Sequence, residues 1–122
     1  MKVYIVEGSA GSYSDYRNWP VCAYLEQAEA ELHSKLANEW IEQNLIRYKT
    51  GKKDIYMEVM DIIKLNPAAK YYEVEIECFR KKGLINPYDK VNGTSRQDDT
   101  GYNVIEVELK DKFDVEEEIK NQ

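Results

Sequence analysis

Tyr71-Tyr72-Glu73-Val74-Glu75-Ile76-Glu77-Cys78-Phe79 is the stretch on which the fold turns. Tyr72, Val74, Ile76 and Cys78 alternate with Glu73, Glu75 and Glu77, a period of two with one apolar and one charged face. That pattern predicts a half-buried strand of an antiparallel sheet. Tyr102 to Leu109 repeats it, with Ile105, Val107 and Leu109 facing in and Glu106 and Glu108 facing out. If the two strands pair, their carboxylates crowd one sheet face. Like charges directly opposite are unfavourable, so basic groups from elsewhere, or from a partner chain, are expected to relieve them.

Working outward, the first 25 residues predict a β-hairpin. Lys2 to Glu7 alternates through Val3, Tyr4, Ile5 and Val6, residue types that suit a pleated, half-buried surface. Gly8-Ser9-Ala10-Gly11-Ser12 has loop composition. A second strand is expected from Trp19 to Leu25, with Pro20 at its start or on an edge because proline lacks an N–H. The connection is long for a hairpin and carries Tyr13, Asp15, Tyr16 and Arg17, a composition that suits binding.

Glu26 to Lys49 predicts a long helix. Ala28, Leu32, Leu36 and Trp40 step by four, and Ala37, Ile41, Leu45 and Tyr48 form the adjacent row. Acidic residues open it and Arg47 and Lys49 close it, as the macrodipole favours. Gly51 is expected just past its end. Asp54 is then a candidate N-cap for a second helix that buries Ile55, Val59, Ile62 and Ile63 and stops at Asn66-Pro67, although the β-branched content leaves a strand reading open. Arg80 to Gly101 is expected to be a long loop, with turns at Asn86-Pro87 and Asn92-Gly93. The acidic tail from Asp111 to Gln122 is expected to dock a helical turn through Phe113, Val115 and Ile119. The order β–β–α–α–β–β predicts one α+β domain over residues 1–122. Its architecture is a two-layer, four-stranded antiparallel sheet with the long helix packed on one face.

The chain has 122 residues, 17 basic and 23 acidic, for a net charge of −6. That balance argues against direct nucleic acid binding, which needs positive surface. No apolar run approaches the roughly 18 residues of a membrane span, and the opening Met1-Lys2-Val3-Tyr4-Ile5-Val6 has no secretory pattern. A cytoplasmic location without membrane contact is expected. Cys22 and Cys78 form no CxxC, and His33 alone cannot complete a zinc set with them. They are expected to be free thiols in a reducing compartment, unless neighbouring strands bring them together. No metal or cofactor is expected.

Candidate catalytic groups are few. His33 has no evident partner and reads as a helix-flank residue. Glu73, Glu75 and Glu77 could act as paired carboxylates, but alternating glutamates on a strand usually form a solvated face. Gly8 to Ser12 resembles a phosphate loop yet lacks the following lysine. No nucleophile, base and orienting group assemble, so the expectation is a protein that is not an enzyme. Binding residues stand out more clearly. Tyr13, Tyr16, Arg17 and Trp19 fall within seven residues, and Arg80, Lys81, Lys82, Lys90 and Arg96 concentrate positive charge in and before the long loop. Arginine with aromatic rings grips bases, phosphates or protein surfaces. Tyr13, Tyr16, Arg17, Trp19, Arg80 and Arg96 are the predicted ligand-binding set.

The opening Val3-Tyr4-Ile5-Val6 with Gly11-Ser12-Tyr13-Ser14-Asp15-Tyr16, then a strand and an Ala/Glu-rich helix, resembles small phage and prophage proteins that begin with such a hairpin. The likeness covers about the first 45 residues. Among small phage proteins of this size are the Thoeris anti-defence sponges, oligomers that trap cyclic nucleotide-like signals, and the anti-CRISPR inhibitors, many of them acidic. The resemblance implies a cytoplasmic protein of the host cell that counters immunity. Its partner would be a sequestered nucleotide signalling molecule. The alternative is a host defence protein, whose basic groove would be blocked by the tail and the Glu73/Glu75/Glu77 face. An exposed sheet face and an overhanging helix predict a homo-oligomer.

Overall fold

The computed structural model describes residues 1–11, 13–91 and 99–110, apart from the side chain of Tyr13. Strand β1 (Lys2–Ala10) is central, with β2 (Arg17–Tyr24) on one side and β3 (Thr100–Glu108) on the other, all antiparallel. Helix α1 (Gln27–Leu65) packs on the sheet, and α2 (Tyr71–Lys81) packs on the distal half of α1.

The α+β class is as expected, but the sheet has three strands rather than four. Residues 71–79 form helix, not strand. Tyr71, Val74, Cys78 and Phe79 also satisfy the helical period, and it is Cys78 and Phe79 that are buried. Glu73 opens the helix and Arg80 and Lys81 close it, matching the macrodipole. Its end is a Schellman closure: Leu84 N–H donates to Phe79 O at 3.0 Å and Gly83 N–H to Arg80 O at 3.0 Å. Gly83 sits at φ 66°, a region that favours glycine.

The two predicted helices are one helix of 39 residues, roughly 58 Å at 1.5 Å per residue. Gly51 does not end it, and Asp54 lies in its interior rather than at a cap. The space above Gly51 is taken by Leu84, whose Cδ1 lies 3.5 Å from where a Cβ would be. Continuing the helix through this glycine costs about 1 kcal/mol. In return, Tyr48, Ile55 and Val59 join Cys78, Phe79 and Leu84 in one buried cluster. The buried row runs through Ala30, Ser34, Ala37, Ile41 and Tyr48, while Leu32, expected in the stripe, is 56% exposed.

The hairpin is present with a shorter connection, because β1 continues through Gly8 to Ala10. Gly8 is not part of a phosphate loop. A Cβ there would meet the Trp19 ring at 2.5 Å, so glycine lets the indole lie flat on the strand. A 3-10 turn, Tyr13–Asp15, makes the crossing. Pro20 lies on edge strand β2, where no inner ladder bond is lost.

A second buried cluster joins Val6, Ala30, Ala37, Ile41 and Tyr102 between sheet and helix. Strand β3 therefore turns Tyr102 and Val104 inward, reversing the expected faces. Ile105 and Val107, paired with Ile5 and Val3 of β1, lie on the face away from α1. Glu106 and Glu108 meet Lys2 at 3.5 Å and the N-terminal ammonium at 2.9 Å. The charge relief comes from β1 itself. The turn at Asn92-Gly93 and the helical turn in 111–122 fall outside the described residues.

Candidate functional site

The predicted ligand-binding residues do not converge. Trp19 is 9% exposed, and its indole N–H donates to Asp89 Oδ2 at 2.9 Å, so its ring belongs to the core. The Arg17 guanidinium lies 5.7 Å from the centre of that ring, a cation–π contact. Tyr16 is 56% exposed beside it. Arg80 stands on α2 and pairs with Glu77 one turn earlier. Arg96 and the side chain of Tyr13 fall outside the described residues.

What the fold brings together is a different set. The segment after α2 folds back against α1 and the sheet. Asn86 and Asp89 are each 1% exposed. Asn86 Nδ2 donates to Ala37 O at 3.2 Å, while its Oδ1 accepts the Tyr88 N–H at 3.0 Å. Asp89 accepts from Trp19 and, at 2.7 Å, from the Tyr102 hydroxyl, both on Oδ2. Its Oδ1 accepts the Val91 N–H at 3.0 Å. A buried carboxylate is tolerated where donors satisfy it, and here it fastens the segment to β2 and β3.

Thus held, Tyr88 meets His33 of α1. The Tyr88 carbonyl can only accept, so His33 Nε2–H donates to it at 2.6 Å. In the neutral ring Nδ1 is then an acceptor, and the Tyr24 hydroxyl donates to it at 2.8 Å. Cys22 Sγ lies 3.5 Å from the same nitrogen. The three rings are tilted or edge-on, with centroids 5.8 Å apart for Tyr24–His33 and 6.1 Å for His33–Tyr88.

Around this cluster lie three concavities that share lining residues, taken together as a groove. The first, about 390 Å³, lies between Tyr24, His33 and Tyr88 and the Leu32–Leu36 side of α1, with Glu29 at its rim. The second, about 200 Å³, shares those three rings and reaches Cys22, Pro87 and Lys90. The third, about 350 Å³, shares Pro87 and Lys90 and extends to Ile76 and Arg80 of α2. The first and third have volumes of the order that suits small ligands. Among the described members of the predicted set, only Arg80 lines this groove.

Cys22 beside His33 resembles a nucleophile with its base, but the surroundings oppose activation. Burial pushes the thiol pKa up and the Asp89 charge adds to it. Burial raises Tyr24 as well. Cys22 and Cys78 are free thiols, one on β2 and one in the cluster under α2. Among the described residues no group of three or more potential metal ligands gathers, and no helix is long and apolar enough to cross a membrane.

Sequence reasoning missed His33, Tyr24 and Tyr88. Their meeting depends on the return of residues 84–91, which no local spacing encodes. The available signal was Asn86-Pro87, a rigid turn directly before a tyrosine. Comparison with family models, curated proteins and solved structures finds no match.

Proposed function

We propose that this chain is a small non-enzymatic binding protein that sequesters a nucleotide signalling molecule and thereby counters host immunity from the host cytoplasm. The observation that carries the reading is Lys90. It lines both the aromatic concavity and the one lined by Arg80, so ring surface and cations border two neighbouring hollows. Nucleotides present the same pairing, a flat apolar base and an anionic phosphate. The acidic chain thus concentrates basic side chains beside aromatic walls. The role against immunity is supported by the resemblance of the first 45 residues to phage proteins. Association of copies belongs to the same reading, supported by Val3, Ile5, Ile105 and Val107 on the sheet face away from α1.

Blockade of a host protein by an acidic sheet face loses part of its basis, because these residues stand on helix α2, with Glu75 on the side away from Glu73 and Glu77. Calorimetric titration with a panel of cyclic and linear nucleotides tests the proposal. Saturable binding by the wild type, lost in Lys90→Glu, is expected. Silence across the panel overturns it, and capture of a host defence protein by the same silent chain would favour blockade.

A further inference from the structure

The groove differs chemically at its two ends, and the inference drawn from this rests on the binding reading above. At the α1 end Leu32 is 56% exposed and Leu36 lies beside it. Tyr24, His33 and Tyr88 close this lobe, and both imidazole nitrogens are engaged: the Tyr24 hydroxyl donates to Nδ1, and Nε2–H donates to the Tyr88 backbone carbonyl. The imidazole therefore has no nitrogen left for a ligand, and the wall offers chiefly ring and carbon surface. Glu29 is the charged residue that lines this lobe. At the α2 end, Lys90 and Arg80 flank an apolar floor of Ile76, Ile85 and Pro87. Asp89 also borders this lobe, but both of its carboxylate oxygens accept hydrogen bonds from Trp19, Tyr102 and the Val91 amide. Arg80 pairs with Glu77, yet both side chains are at least half exposed, and such pairs contribute little. A phosphate therefore competes readily for the guanidinium.

A carboxylate beside an apolar slot accepts hydrogen bonds from amines and hydroxyls and repels phosphate. Two cations do the opposite. We propose that the groove takes its nucleotide in one direction, with an amino-bearing base in the lobe of Glu29, Leu32 and Leu36 and the phosphate over Lys90 and Arg80. Adenine fits this description, whereas uracil has no exocyclic amine to offer Glu29.

Calorimetry with adenosine monophosphate, uridine monophosphate and adenosine tests the direction. Lys90→Gln weakens adenosine monophosphate about tenfold and leaves adenosine unchanged, and Lys90→Arg retains affinity. Glu29→Gln weakens adenosine and its monophosphate by the same factor and leaves uridine monophosphate unchanged. If Lys90→Gln weakens adenosine as much as its phosphate, or Glu29→Gln tightens the monophosphate, the direction is wrong while the binding reading stands. A wild type that binds none of the three also overturns the direction, and the cyclic-nucleotide titration then decides the function separately. Both substitutions lie on exposed side chains, and circular dichroism confirms that each variant is folded.

Discussion

Tyr102 donates its hydroxyl proton to Asp89 Oδ2 across 2.7 Å, with the tyrosine 7% and the aspartate 1% exposed. This bond ties β3 to the segment that carries Pro87, Tyr88 and Lys90, and so couples the sheet to the shape of the groove. Trp19 donates to the same oxygen from β2. The long helix sets the site's length, and this aspartate sets its wall.

Tyr102→Phe removes one donor from a buried carboxylate and keeps the ring. A loss of about 1–3 kcal/mol in urea unfolding is expected, the cost of leaving a buried acceptor short of a partner. Asp89→Ala removes the anchor for three donors, from Trp19, Tyr102 and the Val91 amide, and is expected to cost more. It should also weaken ligand binding, because Lys90 loses its fixed position. A Tyr102→Phe variant as stable as wild type would show that the bond contributes nothing net.

Alkaline pH is expected to destabilise the fold. Burial raises the pKa of Tyr102, reinforced by the bond to Asp89 and by its charge. Burial likewise raises the Cys22 and Cys78 thiols. A raised pKa contributes stability that is fully present below the unfolded value and is lost as pH rises toward the folded one. Stability should therefore hold through neutrality and fall above about pH 9, first from the thiols and then, above about pH 10, from Tyr102. Tyr102→Phe should flatten the second part of the decline. Urea midpoints from pH 7 to 11 measure it, and an unchanged slope in the variant would contradict the assignment.

Gly83→Ala tests the end of α2. Its φ of 66° lies in the left-handed region, where a Cβ costs roughly 1–2 kcal/mol. Slow hydrogen exchange at the Cys78 and Phe79 amides in the wild type, faster in the variant, is the expected result. Strand-like exchange along 71–79 would contradict the helix.

That closure was legible in the sequence, since Lys82-Gly83-Leu84 after a run ending in Arg80-Lys81 has the form of a helix stop. The two-residue alternation of glutamates hid it. Glutamate is also a good helix former, and Val74 and Cys78 fit either period. The hairpin was legible because Val3 to Val6 has no competing reading. The unbroken α1 was not, because Gly51 and Asp54 together imitate a helix end and a new start. Packing of Tyr48, Ile55 and Val59 on both sides of Gly51 into one cluster with Cys78, Phe79 and Leu84 favours the continuous helix. Of the site, the positive charge at Arg80 and Lys90 was legible from clustering. The aromatic wall was not, because Tyr24, His33 and Tyr88 meet only after residues 84–91 fold back.

Asn38 links α1 to the outer edge of β3, with Nδ2 donating to Tyr102 O and Oδ1 accepting the Tyr102 N–H, each at 2.9 Å. The amide occupies the edge as a neighbouring strand would. Asn38→Asp removes the donor and sets a charge against a carbonyl. A loss of about 1–2 kcal/mol by urea unfolding is expected, and no loss would show that the pair is replaced by water at no cost.

The central claim is that ligand enters the groove of Tyr24, His33, Tyr88 and Lys90 rather than the hairpin tip. Amide chemical shifts followed during titration with a binding nucleotide test this most directly. The account predicts that the shifted resonances cluster at Tyr24, His33, Tyr88, Lys90 and Arg80 while Tyr16 and Arg17 stay in place. Shifts centred on Tyr16, Arg17 and Trp19 with the groove unmoved would contradict it.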